Sequence, residues 1–301
     1  MEESKEKQDS SGTSDTAEVS KTPATGEAVA ESTAVPEQKN PLLRLSVSAM
    51  KTYESCRRKY YYQYIKKVQR KQDWEHLKVG NFVHKVLEMF HLKLKDESLD
   101  LTHGPAVMKE MCSKYWAEFA LSQEQVDTAK KMLKQYLAQM SQLGMPKVLA
   151  AEKKFYLMID SDISMVGVID RVDEDGETYH LVDYKTGKSK YLDEVQLMVY
   201  ALAMFKEKPE ASVFVASYLC LAEDCKYITY KFTKTDTEKL IEKIKLVAKN
   251  IREDKTWEPT PTPLCKYCDF AQICAACPAK FRPSNSDGLV QIGGDKTVEW
   301  I

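Results

Sequence analysis

Three side chains in this 301-residue sequence have the types and spacing to hydrolyse a phosphodiester: Asp170, Asp183 and Lys185. Two carboxylates brought together repel, and each tends to stay protonated unless a cation sits between them. A hard divalent ion such as Mg²⁺ or Mn²⁺ suits that arrangement, since it takes a few carboxylate oxygens and keeps several waters. Lys185 follows Asp183 by two residues, and on a strand that spacing puts both on one face. The strand would then offer an acid and a base side by side, where a metal-activated water could attack phosphorus. The bland alternative is a surface hairpin with an Asp-rich turn and a capping lysine, so the surrounding elements must decide.

Those elements read as two antiparallel strands. Val166, Val168, Ile169 and Val172 in the first, and Tyr179, Leu181 and Val182 in the second, favour a pleated, half-buried surface. The intervening Glu174–Thr178 contains the Asp-Gly pair of a tight hairpin turn. Pairing across that turn allows Asp170 and Asp183 to sit beside each other.

Asp170 followed by Asp183-Tyr184-Lys185 resembles the PD-(D/E)xK nuclease core, and Asp-Tyr-Lys-Thr-Gly187 is similar to the wording of its RecB/AddB-type branch. Ile169 stands where the family name has proline, a position that is often apolar in this branch. Gly80-Asn-Phe-Val-His84, on a helix expected over 76–95, resembles the branch's Gly-x-x-x-His element. Gln196-x-x-x-Tyr200, on a helix expected over 193–205, resembles a further one.

The resemblance implies an α/β, restriction-endonuclease-like fold, with a mixed, partly antiparallel sheet flanked by helices. It implies a metal-dependent (Mg²⁺ or Mn²⁺) deoxyribonuclease, an exonuclease by expectation, acting in DNA repair or recombination. Asp170, Asp183 and Lys185 would carry the chemistry. His84, Asp170, Asp183 and the Tyr184 carbonyl would hold the metal, and Gln196 and Tyr200 would lie near the active site and the DNA. Glu152 would complete or support the metal shell, or else be a simple edge-strand charge. The substrate would be DNA, single-stranded or with free ends, and helicase, recombination or adaptation proteins are the implied partners. A CRISPR-adaptation nuclease that trims spacers shares the same motif order. A non-catalytic, zinc-stapled nucleic-acid-binding module is the alternative from another class.

Cys265-x2-Cys268-x5-Cys274-x2-Cys277 follows the proline-rich stretch 259–263. Thiols so clustered point to a metal, and by residue type alone Zn²⁺ and a [4Fe–4S] cluster are both served. The family resemblance implies the cluster, held by Cys56, Cys265, Cys268 and Cys274, with Cys277 to spare. Such an iron–sulfur staple would join the N- and C-terminal parts across the core. Cys112, Cys220 and Cys225 read as ordinary thiols.

Around Cys56, residues 41–71 carry nine Lys/Arg against one acid, Glu54. Ser46 or Ser48 can cap a helix that places Tyr53, Cys56, Tyr60 and Tyr64 on one face. Arg57, Arg58 and Lys59, interleaved with tyrosines, suit a surface that tracks phosphates and stacks bases. An amphipathic helix with tyrosines packed inward accounts for them equally.

The rest is scaffolding. Helices are expected over 105–120 and 122–143, a helical insert of about 100–145 that ends at Gly144 and Pro146. Strands are expected over 149–159, 213–221 and 226–232, and a helix over 235–252. Residues 1–40 carry four lysines against nine acids among Ser, Thr and Ala, and read as a disordered acidic tail. The nuclease domain is expected over 41–280, and 281–301 as a flexible tail. The net charge of −1 thus conceals a mildly basic body. No apolar run would span a bilayer, and the N-terminus matches neither a secretory signal nor a transit peptide, so a cytoplasmic location is expected.

Overall fold

A computed structural model describes residues 41–68 and 75–278. The tails expected over 1–40 and 281–301 lie outside the described residues. In chain order the elements are β1 (Leu43–Leu45), α1 (Val47–Ser55), α2 (Arg57–Tyr60) running into a π-helical turn (Tyr61–Ile65), α3 (Glu75–Asp96), α4 (Gly104–Phe119), α5 (Gln123–Leu143), β2 (Val148–Asp160), β3 (Ile163–Asp175), β4 (Thr178–Lys185), α6 (Val195–Glu207), β5 (Val213–Cys220), β6 (Lys226–Thr233) and α7 (Lys234–Glu253).

The hairpin forms as its residues suggest. Asp175 pairs with Thr178, and Gly176 opens the two-residue turn at φ +63°, where a side chain would be strained. Six strands make one mixed sheet in the order β1-β3-β4-β5-β6, with β2 on the remaining edge of β3. β1–β3 and β4–β5 run parallel and the other pairs antiparallel. β1 covers residues 163–165 of β3 and β4 covers 171–175. Among the described residues, the stretch 166–170 between them has no strand partner on that edge, and Asp170 sits at its end.

Alternation along β4 sets which layer each residue meets. Val182 and Tyr184 join the core of α3, α4 and α5, whereas Leu181 joins that of α6 and β5. A third core packs α1 and α7 against β1 and the start of β3. The helices start where the sequence provides caps: the Ser46 hydroxyl accepts from Ala49 N, and Ser122 and Thr233 each close a capping box. Gly144, at φ +88°, ends α5.

The structure differs from the sequence expectations in two places. Strand β1, only three residues long, is too short for its periodicity to announce it. The basic N-terminal segment is not one helix: Cys56 takes an extended conformation (φ −163°, ψ 109°) and breaks α1 from α2. Among the described residues, no helix is long and apolar enough to cross a membrane.

Candidate active site

Strand register builds the site. Arg171 pairs with Val182, so the next step of the ladder sets Asp170 against Asp183. On the other edge, Ala151 pairs with Arg171 and Lys153 with Ile169, which sets Glu152 against Asp170. Three acids from three adjacent strands therefore share one row. Glu152 holds φ +48°, a left-handed value that an ordinary strand residue avoids and that often marks a functional position.

α3 brings His84 onto this row, with Nδ1 3.4 Å from Asp170 Oδ2. The helix can approach because Gly80, one turn earlier, has no side chain: a Cβ there would lie 2.9 Å from Thr186 Oγ1. One ligand atom each from His84, Glu152 and Asp170 fall within 4.8 Å of one another. That spacing, with two carboxylates and one imidazole, fits a divalent ion. The same residues line an open cleft of about 580 Å³ between α3, the end of α4 and the end of β4.

Asp183 stands just behind, fully sequestered. Its Oδ1 accepts from Gln196 Nε2 at 2.7 Å and from the Tyr200 hydroxyl at 2.9 Å. Its Oδ2 forms an ion pair with Lys185 Nζ at 2.6 Å and has no other partner among the described residues. Lys185 also donates to Gln196 Oε1 at 3.1 Å and reaches the cleft. The Tyr184 backbone N–H donates to Asp170 Oδ2 at 2.7 Å.

The electrostatics follow from this crowding. Burial pushes the Asp183 carboxyl up, and the charge of Asp170 adds to it, against the pull of Lys185 and Tyr200. Burial and Asp170 likewise raise Glu152. For His84, burial disfavours the charged ring, but the hydrogen bond and charge of Asp170, with Asp183 and Glu152, outweigh it and hold the imidazole above its ordinary value. Every one of these shifts is of the kind that a cation among carboxylates relieves.

A family model for the PD-(D/E)XK nuclease superfamily matches residues 44–275. The chain belongs to that superfamily. Over 200 residues it is 28% identical to one of the subunits of the ATP-dependent helicase/deoxyribonuclease of Streptococcus agalactiae, with the same figures in three strains. That match covers 60% of this chain but only 18% of the relative, so the chain spans under a fifth of the curated proteins it resembles. Among solved structures, an assigned exonuclease from Eubacterium rectale shares 12% identity at a TM-score of 0.47, covering 75% of this chain and 86% of that one. Nucleases of the PD-(D/E)XK type typically use divalent metal ions, in keeping with the His84–Glu152–Asp170 group.

Of the remaining expected site residues, Gln196 and Tyr200 lie at the site but turn to Asp183, whereas Arg57 and Arg58 turn to the segment after α7. Tyr200 is only 4% exposed and its hydroxyl is committed to Asp183, so it cannot also face DNA. Gln196 is likewise spent on Asp183, Tyr200 and Lys185. Both support the acid from within the PD-(D/E)XK core. Arg57 pairs with Asp254 and lies over the Tyr53 ring, while Arg58 donates to the Thr256 carbonyl. Tyr53 and Tyr60 are buried and pack with Trp257. For the two buried tyrosines the inward-packing alternative wins, because the segment after α7 supplies both an acid and an indole to hold the basic, aromatic helix end. Lys59 lines the cysteine cavity. None of these three basic residues lines the cleft. Glu152 is more than an edge charge, since it belongs to the metal-sized group.

Cys56, Cys265, Cys268, Cys274 and Cys277 do come together, lining one small cavity of about 30 Å³. The sulfurs of Cys56 and Cys265 accept backbone N–H groups of Thr260 and Thr262 at 3.5 and 3.3 Å. Cys277 behaves differently: its thiol is buried and donates to the carbonyls of Cys265 and Pro278.

Sequence reasoning missed a buried polar network beneath the site. Arg171, 2% exposed, pairs with Asp173 at 2.9 Å and donates to the hydroxyls of Tyr136 and Tyr184. His91 Nε2 lies 2.6 Å from the Tyr136 hydroxyl, and burial with the Arg171 charge holds this ring well below its ordinary value, hence neutral. His91 is structural, buried against Tyr136. An arginine mid-strand normally signals a solvent face, so nothing in the sequence marks Arg171 as interior.

Proposed function

We propose that this chain is a metal-dependent deoxyribonuclease that hydrolyses phosphodiester bonds as an exonuclease in DNA repair or recombination. The observation that carries the reading is the convergence of His84, Glu152 and Asp170 within 4.8 Å at a cleft that Lys185 also reaches. His84, Glu152 and Asp170 are the groups that would hold Mg²⁺ or Mn²⁺, with the Tyr184 carbonyl beside them; Asp183, behind them, would join through the Oδ2 that now meets Lys185. When bound, such an ion polarises a phosphoryl oxygen and acidifies the water it carries.

The chain's own residues do the rest. The Lys185 ammonium, fixed by Asp183 and Gln196, faces the cleft where it can orient the attacking water and steady charge developing on the phosphate. Gln196 and Tyr200 keep Asp183 in place. The Tyr184 N–H keeps Asp170 turned toward His84.

The name of the S. agalactiae relative, a helicase/deoxyribonuclease, supports DNA as substrate and a helicase as partner. Cys56, brought beside Cys265, Cys268 and Cys274 in one cavity, is the set that the family resemblance implies for a [4Fe–4S] cluster, and it supports that cluster. Cys56, Cys265, Cys268 and Cys274 would be its ligands, joining α1–α2 to the segment after α7.

The deciding assay uses end-labelled single- and double-stranded DNA with Mg²⁺, Mn²⁺ or chelator. Metal-dependent shortening from an end is expected, and should disappear in Asp170→Asn and Lys185→Met proteins that melt like the parent. Cleavage that survives chelation, or either substitution, would refute the assignment.

A further inference from the structure

The cleft has two unlike ends. Around His84 it is polar and charged, but at the start of α3 it is walled by Leu77 and, from the end of α4, by Phe119. Leu77 is 39% exposed. Phe119 is held in place rather than loose: its ring meets Phe82 edge-on at 5.7 Å, and α4 stops one residue later where Ala120 turns left-handed at φ +44°. Lys78 Nζ donates to the Ala120 carbonyl and ties the two walls together.

Leu77, Gly80, Asn81 and His84 lie along one face of α3, all on the cleft. Seven residues separate Leu77 from His84, about 10 Å of helix rise. A phosphate beside His84 and Asp170 therefore places the neighbouring nucleotide against the apolar end. A large apolar side chain left open on a charged cleft has no use for a phosphate, yet it suits the flat face of a nucleobase. In a duplex that face is hidden in the stack.

We infer that Leu77 and Phe119 form a seat for one unpaired base flanking the scissile phosphate, and so select single-stranded over duplex DNA. The inference rests on the nuclease reading and adds a subsite to it. A seat that grips the base equally in ground and transition states lowers KM and leaves kcat alone.

The test measures kcat and KM on a labelled single-stranded oligodeoxynucleotide. A matched series carries one abasic residue placed successively along the strand. At one position relative to the cut, wild-type kcat/KM should fall about tenfold, through KM, when the base is missing. In Leu77→Ala and Phe119→Ala that intact-to-abasic ratio should collapse to near one, and Phe119→Tyr should restore it. If Phe119→Ala fails to fold, Leu77→Ala decides alone, since its side chain is open to solvent. The inference is overturned if wild type cuts all abasic strands like the intact one, or if the ratio persists in the folded alanine variants. A wild-type protein that cuts no strand with either metal refutes instead the nuclease reading on which the seat depends.

Discussion

Tyr200→Phe removes one oxygen from the interior and tests how the acid at the centre of the site is kept ionised. Asp183 is 2% exposed, and its Oδ1 depends on two donors, Gln196 and Tyr200. A hydrogen bond to a charged group contributes about 2 kcal/mol, equivalent to a factor of about 30. Burial and Asp170 already push Asp183 up, so losing the hydroxyl moves it further in the same direction. A metal must displace that proton to bind. The concentration of Mn²⁺ giving half-maximal cleavage should therefore rise by up to about 30-fold, and the acidic limb of the pH–rate profile should move to higher pH. At saturating metal and high pH the variant should approach the parent. Global stability should change by less than about 2 kcal/mol, since without metal the carboxyl can relieve the lost bond by taking a proton. A Tyr200→Phe protein with unchanged metal requirement and acidic limb would refute the claim that Tyr200 acts through Asp183.

The same charges govern stability. The folded pKa values of Asp183 and His84 are both raised, so both groups hold protons in the fold that the unfolded chain has released, and their contribution falls as pH rises. Metal-free thermal melts should show Asp183→Asn gaining stability on the parent as pH rises above about 4, a comparison in which the opposite trend of the buried, neutral His91 cancels; curves that stay parallel would contradict it. Arg171→Met leaves Asp173 buried without its cation and should cost about 3–5 kcal/mol in urea unfolding, with Arg171→Met/Asp173→Asn recovering part of it. On the proposed cluster assignment, Cys56→Ser should bleach anaerobically purified protein and lower its iron content, whereas Cys277→Ser should keep both. Loss of iron in Cys277→Ser would show that the ligand set has been misassigned.

What the sequence makes legible is local. The Asp-Gly turn fixes hairpin register, and that register alone sets Asp170 against Asp183. The helical spacing from Gly80 to His84 puts the glycine one turn from the imidazole, where the sheet demands close approach. What stays hidden depends on partners distant in sequence. Glu152 joins the row through the pairing of β2 with β3, which no spacing reveals. Arg57 and Arg58 look like phosphate contacts because Asp254 and the Thr256 carbonyl lie some two hundred residues away. Tyr200 looks exposed to substrate because an i,i+4 pair with Gln196 says which way both point, but not what covers them.

β4 shows why these parts must be considered together. Its alternate residues enter opposite layers: Asp183 is held from the α6 side by Gln196 and Tyr200, while the Tyr184 hydroxyl is held from the α5 side by Arg171. Between those anchors, the Tyr184 backbone N–H reaches Asp170 across the gap in the β3 edge. A strand pinned on both faces cannot rotate to relieve the repulsion between Asp170 and Asp183. The two acids therefore stay opposed whatever their protonation, and the relief left to them is a proton or a cation. On this account the buried Arg171 network, far from any reacting atom, belongs to the same device as the carboxylates: its rigidity keeps the row of acids dependent on positive charge.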